Sequence, residues 1–265
     1  MCARATGAFS RRSWRRAVAG ERLAKRIARA GVCSRREAEK LIAAGCVTVD
    51  GKVVDTAAYN VAPQQDVRVD GQKLAAPEAP RLWLYHKPRG LVTTHRDPEG
   101  RPTVFARLPK ALPRVISVGR LDFNSEGLLL LTNSGALARH LELPATGWIR
   151  RYRVRAFGRP TPEMLERLGK GITINGVRYG GIELTVESRK GANFWATAKL
   201  KEGKNREIRR VLEHFECKVS RLMRVAYGPF QLGNLPEGHV KEVPAKALGE
   251  ALGKWMMDDR MTDDG

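Results

Sequence analysis

One acid stands out for where the chain would hold it. Asp122 lies in the polar turn Gly119-Arg120-Leu121-Asp122-Phe123-Asn124-Ser125-Glu126-Gly127, between the apolar runs Val115–Val118 and Leu128–Leu131. A carboxylate displayed there can serve as a nucleophile or steady a developing positive charge. If it is partly buried it needs a cation beside it, because desolvation favours the neutral acid. A loop aspartate can equally do no more than bond its own backbone. Both flanking runs are short enough to be buried strands rather than helices, and glycine at each end of the turn permits sharp bends. The strands would fix the side chain and the loop would expose it.

The wording of the stretch Val118 to Asn133, VGRLDFNSEGLLLLTN, closely resembles the signature of RNA pseudouridine synthases, specifically the RsuA family that modifies ribosomal RNA. The resemblance implies that Asp122 is catalytic and that Arg120 of the same motif contacts substrate. The reaction breaks the bond between uracil and ribose and rejoins the base through its carbon 5. All atoms are kept, so no cofactor or metal is required. Inside folded RNA the base must first be extruded, at a cost of about a few kcal/mol. The pocket then needs a carboxylate, a cation to hold its charge, and an apolar plate for the rotating uracil.

Composition agrees with an anionic partner. Lys and Arg number 48 against 28 acids, a net charge of +20, which suits nucleic acid; an anionic membrane surface ranks low. No run is long enough to span a bilayer. The four cysteines, Cys2, Cys33, Cys46 and Cys217, show no metal-ligand or disulfide spacing, and reduced thiols in a cytoplasmic protein are expected.

Residues 1–20 hold five arginines and no acid, and read either as a disordered basic arm or as an organelle transit peptide. Residues 21–76 read as a small domain. Leu23, Ile27 and Ala30 share one face of a helix that Gly31 ends. Ser34 and Glu37 form a capping box for a second helix with Ala38, Leu41 and Ile42 inward. Two Asp-Gly hairpins follow, at Asp50-Gly51 and Asp70-Gly71. The segment RLAKRIARAGVCSRREAEKLIAAGCVTVDGKVV resembles the alpha-L RNA-binding motif, which implies recognition of structured RNA through phosphates and shape. Arg22, Lys25, Arg26, Arg29, Arg35, Arg36 and Lys40 are candidate phosphate contacts, against the alternative of a solvated basic face. Residues 77–80 read as a linker and 255–265 as an acidic tail.

The catalytic domain is expected at 81–254, α+β, with a mixed, mainly antiparallel sheet flanked by helices around a basic cleft. Leu82-Trp83-Leu84-Tyr85 is a strand and His86-Lys87-Pro88-Arg89-Gly90 a turn. The resemblance implies that Lys87 and Arg89 line the substrate channel, against ordinary turn chemistry. Thr93–Pro113 reads as a long loop that touches RNA. Residues 151–156 alternate strictly, with Tyr152, Val154 and Ala156 on one face and Arg151, Arg153 and Arg155 on the other. Tyr152 is either a core aromatic or, as the resemblance implies, the ring against the target uracil, with a hydroxyl able to assist removal of the carbon 5 proton. The segment 203–212 begins a helix with Ile208, Val211 and Leu212 inward, Arg206 and Arg210 opposite, and Arg209 at the edge of the buried stripe. The family pattern implies that Arg209 pairs with Asp122, that Arg206 contacts substrate and that Leu222 walls the pocket.

The resemblance covers residues 21 to about 250. It implies a monomer acting on ribosomal RNA, large-subunit rRNA foremost, naked or within an assembling particle. Two other readings are a noncatalytic assembly factor on the same scaffold and a glycosidase-like base remover. The second needs a paired acid to activate water, and Glu126 is the nearby candidate. Nucleophilic attack and elimination through a glycal both fit the residues.

Overall fold

The computed structural model of the chain describes residues 20–76 and 78–253, which divide into two compact units between Glu78 and Ala79. Of the predicted basic arm, all but Gly20 lies outside the described residues, and so does the predicted acidic tail.

In the first unit β1 (Glu21–Arg22) runs into α1 (Leu23–Arg29), and α2 (Arg35–Ala43) follows. Both halves of the predicted capping box form: Glu37 N donates to Ser34 Oγ at 3.2 Å, and Ser34 N to Glu37 Oε2 at 2.7 Å. Next come β2 (Val47–Val49), β3 (Lys52–Val53), β4 (Asn60–Val61), β5 (Val67–Val69) and β6 (Gln72–Lys73). Four of them make a sheet ordered β3-β2-β5-β6, while β4 pairs with β1. The Asp-Gly turns have positive φ at both residues, 50° and 77° at Asp50-Gly51 and 48° and 77° at Asp70-Gly71, as a type I′ hairpin requires. Leu23, Ile27, Ala38, Ile42, Val47 and Val61 fill the core.

The second unit is built on one large sheet. Its elements are β7 (Leu82–Lys87), β8 (Ile116–Val118), β9 (Glu126–Thr132), α3 (Gly135–Glu142), β10 (Arg150–Phe157), α4 (Pro162–Lys170), β11 (Ile172–Ile174), β12 (Val177–Tyr179), β13 (Glu183–Lys190), β14 (Asn193–Leu200), α5 (Glu207–His214), β15 (Lys218–Tyr227), β16 (Phe230–Gln231), β17 (Val240–Glu242) and α6 (Ala245–Leu252). The sheet runs β13-β14-β10-β15-β9-β7-β17, with β8 also on β9 and β16 on β15. Only the β15–β9 pairing is parallel, so the sheet is mixed and mainly antiparallel, and the fold is α+β.

The central strand β9 is buried along its whole length because its alternation feeds two cores. Leu129 and Leu131 join Trp83, Tyr85, Tyr152 and Ile208 on one face. Leu128 and Leu130 join Leu82, Val118, Leu137 and Leu248 on the other. This explains why Leu128–Leu131 reads as an unbroken apolar run rather than an alternating one.

The sheet forks at β9. One edge of β9 is taken by β7 from Gly127 to Thr132. The other edge is shared: β8 pairs at Leu130–Thr132, and β15 takes over at Glu126 and Gly127. The loop 119–125 leaves β8 at this fork, so the topology places Asp122 where two strands diverge.

Gly127 stands at the fork with φ +99°, and a Cβ there would meet the Arg224 carbonyl oxygen at 2.3 Å and its nitrogen at 2.8 Å. The parallel pairing therefore requires glycine. Gly127→Ala should destabilise the protein by roughly 3 kcal/mol, through overlap with backbone that cannot yield. Urea unfolding of the two proteins measures this, and a loss well below 1 kcal/mol would mean that the strands part without cost.

Candidate active site

The Asp122 loop is held by its backbone. Every carbonyl from Leu121 to Ser125 accepts a hydrogen bond. Thr93 Oγ1 donates to Leu121 O at 2.9 Å, and Gly90 N to Phe123 O at 2.8 Å. Ser125 N donates to Asp122 O at 3.0 Å. Lys87 Nζ donates to Asp122 O at 3.2 Å, to Ser125 O at 2.9 Å and to Pro88 O at 3.0 Å. Arg209 Nη2 donates to Asn124 O at 2.9 Å. Charge-assisted bonds contribute about 1.5–3 kcal/mol each, whereas ordering a residue's backbone costs about 1–2 kcal/mol. The anchors thus offset the ordering of the loop, and loss of one loosens it. Asp122 itself is half-buried, and its carboxylate has no hydrogen-bond or ion-pair partner among the described residues.

Lys87 was expected to line a channel, and here the sequence reading is corrected. Its side chain is 0 % exposed. The strand alternation explains why: Lys87 shares the inward parity of Trp83 and Tyr85. Burial pulls its ammonium down to about 8 from the usual lysine value, against the opposing pull of Asp122 and Glu126. Its three N–H donors match its three carbonyls, so the charged form is the one that completes the set.

Tyr152 lies on the same register row. Lys87 pairs with Gly127, Gly127 with Arg224, and Arg224 with Tyr152. Its ring is 8 % exposed and belongs to the core face that also holds Leu121 and Leu222. Its hydroxyl has no hydrogen-bond partner among the described residues. Tyr152 therefore packs in the core that also holds the loop residue Leu121. Leu222, also buried, sits opposite Val154 in the neighbouring strand.

Arg209 departs from its expected role. It does not form an ion pair with Asp122: Nη1 donates to Val219 O at 3.0 Å and Nη2 to Asn124 O. Its planar fork bridges the start of β15 to the Asp122 loop, with carbonyls rather than a carboxylate on Nη1 and Nη2 and its buried Nε without a partner among the described residues. Burial, with Arg206 and Arg89 nearby, lowers its pKa, while Asp122 opposes the shift. The four side chains are thus electrostatic neighbours. Arg89, Arg120 and Arg206 are exposed around this centre. Arg206 is not a helix residue as expected but the N-cap of α5, in the left-handed region with φ 50°.

Glu126 does not supply a second acid. It is buried with the parity of Leu128 and Leu130, facing the other core, and accepts from Arg221 Nε. Sequence reasoning missed Thr93 and Gly90, loop residues whose only signal is distance from the loop they hold. It also missed Glu207, buried at the start of α5, which accepts from Lys204 N at 2.9 Å. Burial raises its pKa.

The candidate phosphate contacts of the first unit divide. Arg22 donates to Ala58 O, and Arg26 to Ala62 O at 3.0 Å and Pro63 O at 2.8 Å, so both brace α1 against the turn around β4. Lys25 and Arg29 pair with Glu21. Arg35, Arg36 and Lys40 are exposed on α2 with no ion pair among the described residues. In the second unit, the long loop between β7 and β8 encloses a hollow of about 300 Å³ lined by His95, Phe105, Lys110 and Arg114, with Asp122 not in its wall.

Above pH 8 a neutral Lys87 amine has two donors for three carbonyls, so the loop should loosen and activity should fall as pH rises through about 8. Stability runs the other way. Between about 8 and the ordinary 10.5 the native protein has released a proton that the unfolded chain still holds, so this group makes unfolding harder as pH rises. Carbon NMR of the lysine ε positions, assigned with Lys87→Met, should give a transition near 8, and urea midpoints should not drop in step with activity. Titration of Lys87 at its ordinary value would remove the argument.

A family model described as RNA pseudouridylate synthase matches residues 81–214, and an S4 domain model matches residues 21–67. An uncharacterized RNA pseudouridine synthase of Rickettsia prowazekii (strain Madrid E) is 48 % identical over 231 residues, covering 87 % of this chain and 97 % of that protein. Ribosomal large subunit pseudouridine synthase B of Yersinia pestis is 42 % identical over 235 residues, covering 86 % of this chain and 74 % of that one. Among solved structures, a crystal structure of pseudouridylate synthase covers 88 % of this chain and 99 % of its own, with a TM-score of 0.62 at 24 % identity, a likeness of fold. Matched across its second unit by the family model and along most of its length by relatives of this kind, the chain belongs to the RNA pseudouridylate synthase family, with an S4 domain ahead of the catalytic one.

Proposed function

We propose that this pseudouridine synthase isomerises a uridine of large-subunit ribosomal RNA in the cytoplasm, acting as a monomer with Asp122 as its catalytic carboxylate. The observation that carries the reading is the loop itself: five successive carbonyls are tied down, and the Asp122 carboxylate has no bonded partner among the described residues. Support for the RNA class comes from the relative named for the large ribosomal subunit and from the basic S4 domain. No helix among the described residues is long and apolar enough to cross a membrane.

In this reading the extruded uridine enters beside Asp122. The glycosidic bond breaks with its electron pair leaving on the uracil, and the carboxylate meets the electron-poor ribose carbon that results. The uracil anion turns against Tyr152, its carbon 5 bonds to the ribose carbon as any bond from the carboxylate to that carbon breaks, and the proton on carbon 5 leaves while nitrogen 1 takes one up. Arg209 acts as a positioning residue for the loop, through its hydrogen bond to the Asn124 carbonyl. Arg89, Arg120 and Arg206 draw the RNA backbone to the opening. A base-removing hydrolase would require an acid to activate water, and Glu126 is engaged by Arg221 on the far face.

Asp122→Asn should cut tritium release from ribosomal RNA labelled at uridine carbon 5 by more than roughly a thousandfold while leaving RNA binding within about twofold. Equal release by both proteins would end the assignment, and free uracil among the products would point to hydrolysis. Pseudouridine mapping in cells with and without the gene identifies the nucleotide; loss of a small-subunit site alone would overturn the choice of subunit.

A further inference from the structure

The three arginines that alternate along β10 have no place in the site described above. Arg151, Arg153 and Arg155 point away from the core that holds Tyr152, Val154 and Ala156, because successive strand residues face opposite sides of a sheet. On that inner side α4 and α5 pack their apolar residues into the core. On the outer side β10 is left open, with Arg153, Arg155 and Phe157 all exposed. Cross-strand pairing lays out two rows there. Arg155 stands between Trp195 of β14 and Arg221 of β15, and Phe157 between Asn193 and Lys218. The cations differ in what holds them. Arg221 pairs with Glu126 at 2.5 Å, and Arg153 lies 4.6 Å over the Trp195 ring with Glu187 at 3.7 Å. Arg155 and Lys218 are exposed and have no ion pair among the described residues. Phe157 is 55 % exposed, yet its backbone is fixed, with a strand on each side and Gly158 N donating to Ala192 O at 2.8 Å.

We propose that this face binds an unpaired segment of the substrate RNA, one base stacked on Phe157 and the adjoining phosphates on Arg155 and Lys218, a role that rests on ribosomal RNA being the substrate. A charged strand face is ordinarily only solvated, and a single exposed hydrophobic ordinarily needs no partner. Here the two meet on neighbouring registers. A ring on a fixed backbone offers its π-face to any base, and free cations a strand's spacing away suit the phosphates on either side of that base. Trp195 does not supply the stack, because Arg153 already lies over its ring. Paired RNA hides the faces of its bases, so the ring selects an unpaired segment. A second copy of the chain is disfavoured, since two such basic faces would repel. Tyr152 and Phe157 have opposite parity on one strand, so this segment is separate from the uridine in the pocket. The face thus adds affinity and choice of RNA and leaves the isomerisation untouched.

The test measures the affinity of the full chain for two RNAs at several salt concentrations. One is a short hairpin carrying the mapped uridine; the other is the same hairpin within a large-subunit rRNA fragment that includes its neighbouring loops. Arg155→Glu combined with Lys218→Glu should weaken binding to the fragment by about tenfold or more and make the log–log salt dependence shallower by roughly one to two. Phe157→Ala should weaken it by about fivefold or more, as for loss of one stacked base, and Phe157→Trp should bind as the wild type does. On the short hairpin every one of these proteins should bind and release tritium within about twofold of the wild type. Unchanged affinity of the charge-reversed and Phe157→Ala proteins for the fragment would overturn the proposal, and so would equal losses on hairpin and fragment. A wild-type dimer that Phe157→Ala dissociates in sedimentation velocity would give the ring to a second copy and overturn it too. Failure on the fragment leaves the catalytic reading standing, because the wild type still releases tritium from the hairpin; a wild type that binds neither RNA loses both.

Discussion

A buried ammonium beneath the Asp122 loop is the contact on which the site depends. Lys87 reaches inward from the end of β7 and spends its three N–H groups on Pro88, Asp122 and Ser125 carbonyls. Burying a charge is costly unless each of its hydrogen-bonding groups is met, and here each is. The loop in turn is positioned by a charge that cannot leave without exposing carbonyls to an apolar core. Arg209 repeats the device from the side, bridging the loop to β15. Two cations therefore hold the backbone around the acid, and neither is bonded to its carboxylate.

That division of labour has a chemical consequence. An aspartate locked in a salt bridge is a poor nucleophile, because the partner holds its lone pairs. An aspartate fixed through its backbone keeps its oxygens available. The forked sheet makes the arrangement possible. With β8 and β15 sharing one edge of β9, the chain leaves the sheet at the fork, and Gly127 lets β15 approach closely enough to close it.

Much of this was legible in the residues. The capping box at Ser34, the two Asp-Gly hairpins and the alternation of β10 are local, set by neighbours a few positions apart. The motif around Asp122 carried the family, and with it the α+β fold. The directions of Lys87, Arg209, Arg22 and Arg26 were another matter. Each is a long flexible cation whose partner lies far along the chain, and no spacing rule distinguishes a carbonyl ligand from a phosphate or carboxylate.

By itself the sequence determined the capping box, the Asp-Gly turns, the alternation of β10 and that a loop carries Asp122, because periodicity and turn chemistry act over a few residues. Only the tertiary structure decided what the cations hold, since that depends on which carbonyls the forked sheet brings within 3 Å or so of their reach. It also decided that Glu126 turns to the opposite core, because the pleat direction of β9 acquires meaning only once each face has found its partner.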